Sequence, residues 1–194
     1  VLGASSAASS AALKKQPNGK LRVGIPKEYF VKELSKDMLA VWQQGIVTFQ
    51  AAGAEIVEIS LPHTSDALPA YYIIAPAEAS SNLSRYDGVR YGHRSERGGT
   101  VQEMYTNSRS EGFGDEVQRR IMIGTFALSR KSYDSYYKKA LQIRRLVRAD
   151  FKGVFDAGVD VILTPTAPSV APSIDHLQHL DPIHHYITDI MTIP

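Results

Sequence analysis

A guanidinium on the apolar side of a helix needs a chemical explanation, and Arg120 is such a group. On a helix starting near Asp115 it shares a face with Val117, Ile121, Gly124 and Leu128. A buried positive charge is costly unless an anion pairs with it. Gly124, one turn along, leaves space beside it. Two kinds of anion fit. One is a nearby carboxylate in a structural ion pair; the other is the carboxylate of a ligand, which arginine can hold through two parallel hydrogen bonds. The pattern does not choose between them.

The remaining reactive groups have plainer explanations. The sequence contains no Gly-x-Ser-x-Gly elbow, Walker-type glycine loop or Gly-x-Gly-x-x-Gly fingerprint. Gly3-Ala4-Ser5-Ser6 has the texture of a serine-rich catalytic loop, but it lies in a low-complexity tail without the rigid support a nucleophile needs. His176, His179, His184 and His185 cluster near Asp175 and Asp181, a donor set that suits zinc. Pro182 and the lack of a regular element there argue for a surface loop instead. Lys138, Lys139, Arg144, Arg145, Arg148 and Lys152 lie along a helix at 132–156, with Asp150 in the same stretch. A basic face can meet phosphates, yet a solvated face opposite an apolar stripe is the simpler account. The dense polar run from Glu78 to Gly92 reads as a helix end and turn. With no cysteine, disulfides, thiolate metal sites and cysteine nucleophiles are excluded.

These groups must be carried by elements. Leu21 to Pro26 alternates like a short strand stopped by Pro26. Ser35 is a candidate N-cap for a helix with Met38, Trp42, Ile46 (or Gly45), Phe49 and Ala52 at helical spacing and Gly53 as its stop. Ala54 to Leu61 reads as a second strand closed by Pro62. Strand, helix, strand at this spacing is the βαβ unit of a parallel sheet. Residues 66–84 read as helix. Residues 85–113 hold five of the fourteen glycines and read as loops around a short helix near 101–108. Asp115 is placed to cap a helix running to about Ser129. In the long helix 132–156, Tyr136, Ala140, Ile143, Val147, Phe151 and Val154 form one stripe. Gly158 to Leu163 reads as a buried strand, and 169–194 is loop-rich.

The bulk numbers agree with one globular domain. The chain has 194 residues, 43% hydrophobic, and a formal charge of +2, too small to argue by itself for nucleic acid or anionic membrane. No window approaches the ~20 apolar residues of a membrane span. Residues 1–19 run through Ala, Ser, Lys and Gly without periodicity and read as a flexible tail or linker. Val1 is not an initiator methionine, and the sequence stops at Met191-Thr192-Ile193-Pro194, so both ends read as cut.

Several motifs in one order carry a resemblance. They are Gly24-Ile25-Pro26-Lys27-Glu28-Tyr29-Phe30, the run from Tyr71-Tyr72-Ile73-Ile74 through Glu78-Ala79-Ser80-Ser81-Asn82 to Asp87-Gly88, and Ser110-Glu111-Gly112-Phe113-Gly114-Asp115-Glu116-Val117 followed by Arg119-Arg120-Ile121. Gly124-Thr125-Phe126-Ala127-Leu128-Ser129, Tyr136-Tyr137-Lys138-Lys139-Ala140, Leu163-Thr164-Pro165-Thr166-Ala167-Pro168 and Thr188-Asp189-Ile190 continue it. Over roughly residues 20–194 the sequence resembles the second half of the amidase-signature family, and within it the glutamine-hydrolysing subunits of tRNA-dependent amidotransferases.

The resemblance implies an α/β fold, a mixed sheet surrounded by helices, present here only in part as residues 20–194. The family's catalytic set is a serine nucleophile, a second serine beside a cis peptide, and a proton-relaying lysine. All three lie before the point where the match begins, so no catalytic residue is expected here and these residues alone are expected to be inactive. The substrate side does carry over. The family holds glutamine with an arginine, an aspartate and a tyrosine, which match Arg120, Asp189 and Tyr71. Arg120 would clamp the α-carboxylate, Asp189 would accept from the α-ammonium, and Tyr71 would pack beside the side chain. The resemblance thus tips Arg120 toward a ligand. It also implies no cofactor on this chain, with ATP and magnesium used by the amidotransferase's B subunit as partner. A small accessory subunit completes the assembly, tRNA is held mainly by the partner, and no membrane is involved. The texture of His63-Thr64 and Ala75-Pro76-Ala77-Glu78 suggests a mitochondrial matrix member, with the bacterial cytoplasm as the alternative. Two rival functions stand beside this one: an amidase-signature hydrolase of simple amides, which would not need Arg120 and Asp189, and a non-catalytic nucleic-acid-binding module using the basic helix.

Overall fold

The computed structural model describes residues 19–175 and 188–194. Residues 1–18 of the expected tail, with Gly3-Ala4-Ser5-Ser6, lie outside the described residues, as do His176, His179, His184 and His185. The chain divides into two units. The first combines the described residues up to Ser65 with those from Leu146 onward, and the second is Asp66–Arg145.

In the first unit, β1 (Arg22–Pro26) is the central strand of a three-stranded parallel sheet ordered β2-β1-β3, with β2 (Glu55–Ile59) and β3 (Val161–Ile162) on its flanks. Its register runs from Arg22 opposite Glu55 to Pro26 opposite Ile59. Strands β1 and β2 are joined through α1 (Lys36–Ala51), as the βαβ spacing predicts. The Ser35 hydroxyl oxygen accepts from Met38 N–H at 3.2 Å, and Gly53 leaves the helix at φ +90°. The helix contributes Trp42 to a core shared with Val23, Ile25, Tyr29, Leu61 and Met191. The indole N–H cannot be buried unpaired; it donates to the Leu163 carbonyl at 3.1 Å, which ties α1 to the end of β3.

The third strand is shorter than its sequence suggests. Gly158 adopts φ +89° at the end of α5 (Lys139–Asp156), and the Arg22 guanidinium donates at 3.0 Å to the carbonyls of Ala157 and Gly158. Asp160 then spends its side chain on the backbone, accepting from Arg22 N–H at 2.8 Å. Regular pairing is left to Val161 and Ile162, and Val161 is exposed.

The second unit is helical. It holds most of α2 (Thr64–Leu83), all of α3 (Val101–Gly112) and α4 (Asp115–Leu128), a π-helical turn (Tyr133–Lys138) and the first part of α5. Helix α3 opens with a reciprocal cap between Thr100 and Glu103. The polar residues before it pin a loop. Glu111 accepts from the Ser95 hydroxyl at 2.9 Å and meets His93 Nε2 at 2.8 Å, while Ser95 N–H donates to the buried Ser108 hydroxyl at 3.0 Å. Arg109 donates to the carbonyls of Leu83 and Tyr86, closing the end of α2. Two expectations need correction. Gly114, not Asp115, is the N-cap of α4, and Asp115 and Glu116 sit in the first turn, where their charge meets the positive end of the helix dipole. The long helix does not start as an α-helix. The wider π turn shifts the phase of the stripe, leaving Tyr136 exposed while Ala140 and Val147 are buried.

Candidate substrate-binding site

The position of Arg120 follows from how α4 meets α2. A Cβ built on Gly124 would lie 2.0 Å from the Pro76 carbonyl oxygen and 2.7 Å from Ser80 Oγ. Only glycine allows this approach. Ala77 and Ala127, both buried, keep the contact between small side chains. One turn before Gly124, Arg120 is thereby brought against α2, with its guanidinium carbon 6.0 Å from the centre of the Tyr72 ring. Tyr71 meets Tyr72 edge to face at 5.1 Å, beside the ring that faces Arg120. Tyr71 and Arg120 are therefore brought together in the second unit.

Arg120 is half-buried, with its side chain 36% exposed. Glu116, one turn earlier on α4, accepts from Arg120 Nε at 3.0 Å and also pairs with Arg119. The hydrogen bond with Arg120 is the main cause that lowers the Glu116 carboxyl below its ordinary value, and the same bond raises Arg120. No hydrogen bond among the described residues occupies the two terminal nitrogens of Arg120. A structural carboxylate thus takes one edge of the guanidinium and leaves a second edge that can hold a carboxylate through two hydrogen bonds. Glu116 and Tyr72 were absent from the candidate residues read from sequence. The i, i+4 spacing of Glu116 and Arg120 is the signal that would have found the first; the second lay unread beside Tyr71.

Asp189 belongs to the first unit, partly buried in a turn where its carbonyl accepts from Thr192 N–H at 3.1 Å and Ile193 N–H at 3.2 Å. The Leu163-Thr164-Pro165-Thr166 motif lines a cavity of about 310 Å³ in the same unit, with Met38, Val41 and Trp42 on its other wall. On α5, Arg144, Arg145 and Arg148 are exposed, and Lys152 pairs with Asp156 one turn on. Among the described residues no cluster of three or more His, Asp or Glu is placed to hold a metal ion, and no helix is long and apolar enough to cross a membrane.

The family model for amidases matches residues 4–194. The chain belongs to the amidase family. Among amidases it is 54% identical over 185 residues to the A subunit of glutamyl-tRNA(Gln) amidotransferase from Roseobacter denitrificans, covering 94% of this chain and 37% of that protein. It is 58% identical over 174 residues to the protein of the same name from Mesorhizobium japonicum, covering 89% and 33%. The crystal structure of the A subunit of glutamyl-tRNA(Gln) amidotransferase from Thermotoga maritima superposes with a TM-score of 0.61 at 32% identity, covering 90% of this chain and 32% of that one. The chain therefore spans about a third of the length of these relatives. The expected amidase α/β architecture holds, and the three described strands are all parallel. These relatives are bacterial, and they give no support to the mitochondrial placement suggested by His63-Thr64.

Proposed function

We propose that this chain forms the substrate-holding part of the glutamine-hydrolysing subunit of a tRNA-dependent amidotransferase, which supplies ammonia to convert Glu-tRNA(Gln) to Gln-tRNA(Gln). The observation that carries this reading is Arg120, held on one edge by Glu116, with the Tyr72 ring 6.0 Å from its guanidinium carbon and its terminal nitrogens unoccupied among the described residues. A half-buried guanidinium in that state suits the carboxylate of a free amino acid far better than a neutral amide. The names of the bacterial relatives support the same assignment.

In this proposal Arg120 binds the α-carboxylate, Asp189 accepts from the α-ammonium, and Tyr71 lines the path of the side chain. The serine that attacks the side-chain amide, with its second serine and lysine, comes from the part of the family sequence that precedes the match. The B subunit, with ATP and magnesium, and a small accessory subunit complete the assembly. The bacterial relatives favour a bacterial cytoplasm over the mitochondrial matrix.

The test is Arg120→Ala in the full-length protein in complex with its partners. Losing a charge-assisted bidentate contact of ~2–3 kcal/mol raises KM for glutamine about 30- to 150-fold. Hydrolysis of a simple amide lacking an α-carboxylate changes little. An unaltered KM for glutamine would remove Arg120 from the site and leave the general amide hydrolase as the better account.

A further inference from the structure

We propose that Glu116 is a positioning residue for substrate, acting through Arg120; the inference rests on the function proposed above. A guanidinium offers two useful edges to a carboxylate: one formed by Nε and a terminal nitrogen, the other by the two terminal nitrogens. Glu116 accepts from Nε at 3.0 Å, which consumes the first edge. Tyr72 turns its ring toward the guanidinium carbon at 6.0 Å, the outer range of a cation–π attraction, which favours this placement of the group. The edge formed by the two terminal nitrogens is the one left for a ligand. Arg120 carries one of the most flexible side chains, and substrate alone would have to freeze it. Glu116 biases it beforehand toward the orientation that turns the terminal nitrogens outward.

A second account makes the opposite prediction. If Glu116 merely competed with substrate for Arg120, removing it would relieve repulsion against the α-carboxylate and lower KM. Positioning requires KM to rise. The sign separates the two accounts, and an effect on folding alone would move neither KM in this way nor restore it by shape.

The experiment uses the full-length protein in its complex, with glutaminase kinetics on Glu116→Ala, Glu116→Gln and Arg120→Ala. Glu116→Ala raises KM for glutamine about two- to fivefold with kcat nearly unchanged, the most that an ion pair this open to water can contribute to ordering the side chain. Glu116→Gln recovers most of that loss, because its amide oxygen still accepts from Nε. It also keeps the preference for glutamine over glutaminamide, which Glu116→Ala reduces. If Arg120→Ala raises KM while Glu116→Ala lowers it or leaves it unchanged, the positioning role is overturned and the function stands. If Arg120→Ala itself has no effect on KM, the proposed function is what fails.

Discussion

Replacing Gly124 by alanine tests whether the α2–α4 crossing sets the site. The added Cβ would fall 2.0 Å from the Pro76 carbonyl oxygen, 2.5 Å from the carbonyl carbon and 2.7 Å from Ser80 Oγ. Two of these atoms are helix backbone, so no flexible side chain can swing aside. Restoring ordinary contact at about 3.4 Å requires the helices to part by roughly 1.4 Å. Overpacking of this kind costs ~1–3 kcal/mol, while the helix preference of alanine over glycine returns up to ~1 kcal/mol. A net loss of ~1–2 kcal/mol corresponds to a fall in Tm of ~1–2 °C in a full-length protein about three times as long as this chain. Arg120 sits one turn away on the displaced helix, and a misplacement of ~1 Å can cost a factor of ~100 in a positioned contact. The assay is thermal unfolding and glutaminase kinetics of the full-length protein, with Gly153→Ala as reference. Gly153 lies in α5, where an added Cβ would meet nothing within 4 Å, so there alanine raises stability by up to ~1 kcal/mol. Gly124→Ala that keeps both its Tm and its KM for glutamine would refute the claim that this close approach places Arg120.

Three further changes probe the first unit. Glu28 accepts from Leu61 N–H at 2.8 Å and from the Ser60 hydroxyl at 2.6 Å, and Glu28→Ala is expected to cost ~1–2 kcal/mol by chemical denaturation. Burial pushes the Glu28 carboxyl up, but those hydrogen bonds together bring it below its ordinary 4.5. Its contribution is therefore complete above pH 4.5 and fades as pH falls through the lower folded value, so the gap between wild type and variant must narrow on acidification. Trp42→Phe removes the donor to the Leu163 carbonyl and some buried ring volume, and should lower stability by ~1–3 kcal/mol; a loss below ~0.5 kcal/mol would mean the tie between α1 and β3 is idle. Ser35→Ala should cost ~1 kcal/mol in the same measurement, and Ser35→Asp should restore it, since either oxygen can accept from Met38 N–H.

What could be read in advance was written locally. Ser35, Gly53 and the apolar spacing between them define α1 within about 20 residues of sequence, and the structure places its ends at Lys36 and Ala51. The parallel pairing of β1 and β2 follows from a connection too long for a hairpin and long enough for a helix. What was missed depends on partners far along the chain. Val161 looks like a buried strand residue until Arg22 claims the end of α5 and Asp160 turns its side chain onto the backbone of β1, a contact across 138 residues. The π turn at Tyr133–Lys138 is a change of phase that an ideal helical period cannot express.

Arg120 shows a different kind of limit. Read as a single positive charge in an apolar pattern, it demands one anion, and a structural acid and a ligand become rival explanations. The guanidinium has two separately usable edges, however, and the structure fills one of them with Glu116 while the side chain stays 36% exposed. An ion pair that is this open to water contributes little stability, so folding alone gives it weak purpose. Its stronger effect is directional: it selects which donors face outward. A structural partner and a ligand are then successive claims on one group, and finding the first is what makes the orientation of the second open to test.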